Sequence, residues 1–200
     1  MHNNNSCSYF KQIKGQSKKD KHDEYSTPES AWDEILRFLE SEGITKDKII
    51  YEPYYLDGGS GDYIKKKGYN VIHEKEDFFE KAKEVKYDYI LSNPAFSNCK
   101  GLFKFLDEID KPFMLLLPTL KLHTQYMAEF FKNRNTQIVI PRRRVHFMKY
   151  VDGIPVPNWK KGTSFDCLWI CYNMNFRKDI NYSTDEFNNC STKLSEIDSN

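Results

Sequence analysis

The sequence lacks a long hydrophobic run, a paired-cysteine motif and an excess of charge of either sign. No apolar stretch reaches the roughly 18 residues of a membrane-spanning helix, so no membrane association is expected. The five cysteines are odd in number and form no Cys-x-x-Cys pair, which favours reduced thiols and no metal site. The polar first residues predict no signal peptide, and hence an intracellular protein that is not secreted.

The charge balance restricts where a polyanion could bind. Thirty basic residues face 29 acidic ones, so the chain is not a polycation, and any nucleic-acid surface must be a local patch. The 200 residues are enough for one domain with a real core. Residues 1–22 and 176–200 are polar and predicted to be flexible tails, which leaves 23–175 as a single domain.

Strand and helix patterns alternate along this domain. Short apolar runs predict strands at 48–51, 69–73, 87–91, 113–117, 137–140 and 164–172. Amphipathic spacing predicts helices from Pro28 to just before Gly43 and at 61–67, 99–109 and 120–132, the first of them capped by Thr27. Strands separated by helices predict an α/β fold with a mostly parallel central sheet and helices on both faces. Ligands of such folds bind beyond the carboxyl ends of the strands.

A tetrapeptide, Asn93-Pro94-Ala95-Phe96, follows one of these strands. The Asn93 side-chain oxygen and the Pro94 carbonyl can accept both hydrogens of a planar amino group. The Phe96 ring offers a flat face on which an aromatic base can stack. The segment is therefore a candidate catalytic site for chemistry on an amino group, although Asn-Pro also occurs in ordinary turns.

A glycine-rich turn links the first strand to the next helix. Glycines allow a close approach of the backbone to a ligand, and a helix amino end offers unpaired N–H groups. The candidate ligand-binding residues are Glu52, Pro53, Asp57, Gly58, Gly59 and Ser60. Glu74, after the second strand, can accept the hydroxyls of a ribose, as in dinucleotide sites. The alternative is a plain turn followed by a solvated run of charges.

Together these motifs resemble the S-adenosylmethionine-dependent amino-group methyltransferases, whose signature is Asp/Asn/Ser-Pro-Pro-Tyr/Phe. The order of motifs is similar to that of small adenine-N6 methyltransferases of phages and large DNA viruses, over about residues 24–173. Two positions depart from the pattern. Ala95 replaces the second proline, and Leu56 stands where the cofactor loop usually has its first glycine.

The resemblance implies a single Rossmann-like methyltransferase domain with S-adenosylmethionine as cofactor. It further implies that Asp77 accepts a hydrogen bond from the cofactor's adenine and that Phe78 packs on that ring. Thr27 and Pro28, at the start of the first helix, would face the cofactor's carboxylate.

A basic segment follows the fifth predicted strand. Arg142, Arg143 and Arg144, with Trp159 and Lys160 further on, are candidate contacts to nucleic acid, with DNA favoured over RNA. No target-recognition domain is visible, so recognition would be short or would need a homodimer or a partner subunit. Adenine in RNA, a protein amide, and a catalytically inactive subunit of a complex remain as alternatives.

Overall fold

The computed structural model describes residues 24–132, 134–157 and 163–183. The strands are β1 (Tyr25–Ser26), β2 (Ile49–Tyr51), β3 (Asn70–Ile72), β4 (Tyr89–Ser92), β5 (Phe113–Pro118), β6 (Thr136–Ile140), β7 (Met148–Val151), β8 (Ile154–Pro155), β9 (Cys167–Tyr172) and β10 (Ile180–Tyr182). The α-helices are α1 (Glu29–Ser41), α2 (Gly59–Lys66), α3 (Phe78–Lys81), α4 (Cys99–Ile109) and α5 (Gln125–Lys132).

The central sheet has the order β3-β2-β4-β5-β9-β6-β10. Each neighbouring pair is parallel except for the two pairs that β9 makes with β5 and β6. One reversed strand thus lies inside a sheet that otherwise runs in one direction. This confirms the predicted α/β class with a mostly parallel sheet, and the architecture is Rossmann-like.

Helices cover both faces of this sheet. The Phe113 ring on β5 packs against Phe103 of α4 and Phe130 of α5, with centroid distances of 5.9 and 5.8 Å. Trp169 on β9 lies opposite Leu116 of β5 and contacts Trp32 of α1 at 5.7 Å. Positions 113 and 116 of a strand point to opposite faces, because side chains alternate. Hence α1 lies on one face, and α4 and α5 lie on the other.

Two helix predictions were wrong in detail. Helix α1 begins at Glu29, and Pro28 rather than Thr27 occupies the cap position, with no capping bond from a side chain. Pro28 has an extended ψ of 149°, which delays the helix by one residue. The helix predicted at 120–132 is divided into a 3-10 turn, Thr119–His123, and α5, because Thr124 is also extended, with ψ of 147°.

The prediction of a loose tail from residue 176 was wrong for strand β10 (Ile180–Tyr182), which belongs to the central sheet. Strand β10 pairs in parallel with β6. The buried Gln137 side chain donates to the carbonyls of Phe176 and Lys178 at 2.9 and 2.8 Å, and accepts from the Phe176 amide at 2.9 Å. One amide side chain on β6 thus holds the returning chain against the sheet edge.

A second, smaller sheet was not predicted. It has the order β1-β7-β8, with both pairings antiparallel. Tyr25 lies opposite Lys149, and Tyr150 lies opposite Pro155. The small sheet places β1, which precedes α1 in the chain, beside the carboxyl ends of the central strands.

Candidate active site

A cavity lies beyond the carboxyl ends of β2 and β4, where the sequence predicted a ligand site. Three segments meet there: β1 with its flank, the glycine-rich loop (residues 52–60), and the Asn-Pro loop (residues 93–96). The lining residues are Glu24, Tyr25, Ser26, Glu52, Tyr54, Tyr55, Leu56, Ser60, Asn93 and Ala95. The structure therefore brings together the two loops that the motifs singled out.

Glu52 lines this cavity, and the residue is 1% exposed. Its Oε1 accepts from the Ser92 hydroxyl and from the Tyr54 amide. The Nδ1 of His73 lies 2.7 Å from the Glu52 carbonyl and 2.9 Å from its Oε2, so Nδ1 carries a proton. Burial of the His73 ring opposes its charging, but contact with Glu52 outweighs this effect and raises the pKa of His73. Glu52 thus ties together β2, β3 and β4.

The glycine-rich loop requires glycine at particular points. Gly58 has φ of +87°, and a Cβ there would lie 2.9 Å from the Tyr55 hydroxyl oxygen. A Cβ on Gly61 would lie 2.2 Å from the His73 ring. Since L side chains rarely adopt a positive φ, and since the space at Gly61 is filled, larger residues would distort the loop. The close packing places the amino end of α2 directly beside the cavity.

Leu56 is the strained residue of this loop. Its φ is +45°, in the left-handed region, and it lines the cavity. A residue with a Cβ costs roughly 1–2 kcal/mol in this conformation. Leu56 thus has a backbone conformation that glycine adopts freely. It stands at the position where the cofactor loop of the resembling family usually has glycine.

Asp57 connects the glycine-rich loop to the small sheet. Its Oδ1 accepts from the Gly59 amide at 3.0 Å, and its Oδ2 accepts from the Tyr150 hydroxyl at 2.6 Å. The carboxylate of Asp57 raises the pKa of Tyr150 to about 12. The Tyr150 hydroxyl therefore remains a donor throughout the neutral range.

The nitrogen and the oxygen of the Asn93 side-chain amide differ in their hydrogen bonding. Its Nδ2 donates to the Tyr25 carbonyl of β1 at 3.0 Å. A carbonyl can only accept, so this contact fixes the orientation of the amide. Its Oδ1 is buried and has no hydrogen-bond partner within the described residues. An unsatisfied acceptor of this kind costs roughly 1–3 kcal/mol, so a donor from water or from a ligand would stabilise it.

Phe96, predicted as a stacking face, lies in a cluster of rings and is 6% exposed. Phe147 and Phe165 contact it edge-on, and the Tyr25 ring is nearly parallel to it, at 20° and 6.4 Å between centroids. We call Tyr25, Phe96, Phe147 and Phe165 the aromatic cluster. Of its members Tyr25 lines the cavity. Tyr25 was not among the predicted site residues, and its signal in the sequence is an aromatic residue two positions before Thr27.

Three other candidates have local structural contacts and do not line the cavity. Asp77 Oδ1 accepts from the Phe79 amide at 2.9 Å and caps α3. Phe78 is buried against Tyr51, with other aromatic rings around it. Glu74 is exposed beyond the end of β3.

Thr27 lies directly after Ser26, which lines the cavity. Its hydroxyl oxygen is buried and lacks a hydrogen-bond partner in the described part of the chain. Pro28 caps α1, and Pro53 is buried next to Glu52. Close to the cavity, the start of α1 thus presents a second polar group that lacks a partner among residues 24–132, 134–157 and 163–183.

The basic segment is only partly available to a ligand. The guanidinium of Arg144 contacts Asp166 Oδ1 at 3.0 Å and donates to the Thr163 carbonyl at 2.6 Å, so it braces the loop that carries Phe165. Arg142 and Arg143 are both exposed. Trp159 and Lys160 lie outside the described residues.

Within residues 24–132, 134–157 and 163–183, no three acidic, histidine or cysteine side chains are grouped to hold a metal ion. The same ranges contain no helix that is long and apolar enough to cross a membrane.

Comparison with known proteins gives similarity to solved structures only. No protein-family model and no curated protein matches the sequence. The chain is similar to a candidate RNA methyltransferase from Pyrococcus horikoshii, with 15% identity and a TM-score of 0.44 over 74% of this chain and 84% of that one. It is also similar to an S-adenosylmethionine-dependent O-methyltransferase from Thermotoga maritima, with 11% identity and a TM-score of 0.41 over 78% and 68% of the two chains.

A third similar structure is the precorrin-6y C5,15-methyltransferase from Geobacter metallireducens, with 12% identity and a TM-score of 0.40 over 68% of this chain and 85% of that one. The Rossmann-like fold of the present chain is defined by its own strand order and pairing.

Proposed function

We propose that this protein is an S-adenosylmethionine-dependent methyltransferase that modifies the exocyclic N6 amine of adenine in DNA. The observation that carries the proposal is the Asn93 side chain. Its amide nitrogen is held by the Tyr25 carbonyl, and its buried oxygen is left without a partner among the described residues, next to the glycine-rich loop. An oriented acceptor beside a loop suited to a cofactor is what transfer to an amino group requires.

The residues around the cavity suit the cofactor. Ser60, at the amino end of α2, is a polar residue that lines the cavity, and Gly58 and Gly59 are proposed to let the backbone come close to the cofactor. The buried Thr27 hydroxyl, at the start of α1, is a donor for a carboxylate. Asp57 shapes the loop through Gly59 and Tyr150. Glu74, Asp77 and Phe78 are proposed for the ribose and adenine ends, which lie beyond the lining of the cavity.

The chemistry of the acceptor follows from two oxygen atoms. S-adenosylmethionine supplies an activated methyl group on a sulfonium. The lone pair of an adenine amine is delocalised into its ring, so the amine is a poor nucleophile. Asn93 Oδ1 and the Pro94 carbonyl can each accept one amino hydrogen, which turns the lone pair out of the ring plane. The chain thus contributes mainly positioning and the placement of partial charges.

Adenine in DNA is the proposed substrate because the site needs a planar amine and an aromatic face, and because Arg143 is exposed in a basic segment. A base inside a duplex would have to leave the stack to reach Asn93, whereas a single strand offers it directly. Arg142, Arg143 and Arg144, with Trp159 and Lys160, are the proposed contacts to the backbone. Target recognition would come from a short contact, a second copy or a partner subunit.

The proposal is tested with the purified protein, S-adenosylmethionine, and either unmethylated DNA or RNA. Calorimetry measures cofactor binding, and mass spectrometry of digested nucleosides measures the product. We expect cofactor binding and N6-methyladenine in DNA. Product in RNA alone would overturn the choice of substrate, and bound cofactor without product in either nucleic acid would overturn the nucleic-acid assignment. Failure to bind the cofactor would overturn the methyltransferase itself and favour an inactive subunit.

A further inference from the structure

The Asn-Pro loop lacks one of the constraints that its signature usually contains. Proline fixes φ and restricts the residue before it, whereas Ala95 does neither. Ala95 is exposed, and its amide makes no hydrogen bond within the described residues. The backbone that carries both acceptors, Asn93 Oδ1 and the Pro94 carbonyl, therefore needs another source of rigidity.

Lys121 supplies a contact at the far end of this loop. Its Nζ donates to the Phe96 carbonyl at 2.8 Å, and the Cys99 thiol lies 3.3 Å from the same oxygen. The lysine is half-buried and reaches across 25 positions of sequence. Holding a long lysine side chain in one conformation costs side-chain entropy, whereas a solvent-exposed lysine keeps that conformational freedom.

The base from which Lys121 extends is itself well fixed. It lies in the 3-10 turn that follows β5, and the residue before that turn, Pro118, is buried and paired with Cys167 of β9. At the start of the turn, the Thr119 amide and hydroxyl both contact the Asp166 carbonyl, at 2.8 and 3.1 Å. The turn that carries Lys121 is thus anchored to the central sheet by its backbone contacts.

We propose that Lys121 is a positioning residue, which holds the Asn-Pro loop through the Phe96 carbonyl and replaces the rigidity of a second proline. This inference rests on the proposed methyltransferase function. Lys121 acts through the loop and does not touch the substrate. Its removal should therefore lower the rate of transfer while leaving the affinity for the cofactor unchanged.

The test compares Lys121→Met, which keeps the length of the side chain but removes its donor, with Lys100→Met as a control. Lys100 is exposed on α4 near the same loop. We expect Lys121→Met to lower kcat about tenfold or more, as misplaced reacting groups do. The dissociation constant for S-adenosylmethionine should be unchanged, and Lys100→Met should behave as wild type.

A second substitution separates positioning from general damage. Added to Lys121→Met, Ala95→Pro should restore most of the kcat that this variant loses, measured relative to the Ala95→Pro single variant. The proposal is overturned if Lys121→Met keeps full activity, or if Ala95→Pro gives no recovery in a variant that thermal unfolding shows to be folded.

A failure of the proposed methyltransferase function can be distinguished from a failure of the role proposed for Lys121. If the wild type transfers no methyl group to any acceptor, amide hydrogen exchange of residues 96–98 still tests the contact. Faster exchange in Lys121→Met that Ala95→Pro slows would support the positioning role, and equal exchange in all variants would reject it.

Discussion

Leu56 shows at the scale of a single residue how this site departs from its motif. The backbone is left-handed, with φ of +45°, as glycine would allow, yet the residue is leucine and its side chain lines the cavity. The strain must be offset by the rest of the loop, where Asp57 is bonded on both carboxylate oxygens.

Two substitutions at position 56 separate strain from side-chain packing. Leu56→Ala removes the side chain but keeps the strain, whereas Leu56→Gly removes both. We expect the glycine variant to be more stable than the alanine variant by about 1 kcal/mol in free energy of unfolding, measured with denaturant. The reverse order, with alanine the more stable, would show that no strain is stored at Leu56.

At this scale the sequence predicted the position of Asn93, directly after a strand, and its role as an acceptor stays a prediction. A strand end, a following proline and an aromatic residue together indicate an acceptor at a sheet edge. It did not predict that the Tyr25 carbonyl orients the amide, since that contact joins residues 68 positions apart. Nor did it predict that Phe96 would be surrounded by other rings, because pairing between distant aromatic residues leaves no local pattern.

Among the elements, the small β1-β7-β8 sheet contacts both halves of the site. Its strand β1 holds the Asn93 amide through the Tyr25 carbonyl. Its strand β7 holds the glycine-rich loop through the hydrogen bond from Tyr150 to Asp57. Movement of this sheet would therefore displace both the glycine-rich loop, on the proposed cofactor side, and Asn93, on the proposed acceptor side.

Tyr150→Phe tests this connection. Loss of the hydroxyl leaves Asp57 Oδ2 to water, which should cost about 1 kcal/mol of stability and raise the dissociation constant of S-adenosylmethionine about fivefold. The matched control is Tyr172→Phe, since Tyr172 donates to Asp110 at 2.5 Å outside the residues that line the cavity. Calorimetry should show weaker binding in the first variant only, and equal affinities would mean that the sheet does not support the loop.

The main elements followed from the sequence, and the small ones did not. Strands such as Phe113–Pro118 are continuous apolar runs, so their burial on both faces is visible in the composition. Two-residue strands such as β1 and β8 have no periodicity to detect. Strand β10 was missed because residues 176–200 are polar on average, and the hydrogen bonds that hold Phe176 and Lys178 depend on the buried Gln137.

At the scale of the whole molecule, topology explains why the motifs meet. Parallel strands β2 and β4 are neighbours, so the loops that follow them open at the same edge of the sheet. The chain order of the motifs was enough to predict that the glycine-rich loop and the Asn-Pro loop lie beside each other, and both line the same cavity. It was not enough to place Glu74, Asp77 and Phe78, which lie apart from the lining of the cavity in the described structure.

The most direct test of the account measures Asn93→Ala, with Asn98→Ala as a control from the same segment. The two quantities are kcat for N6-methyladenine formation in DNA and the dissociation constant of S-adenosylmethionine. If Asn93 Oδ1 accepts a hydrogen from the amine, kcat should fall about a hundredfold, as when one preorganised polar group is lost, while cofactor affinity stays the same. Equal losses of rate and affinity in Asn93→Ala, or full activity, would contradict the central role of Asn93.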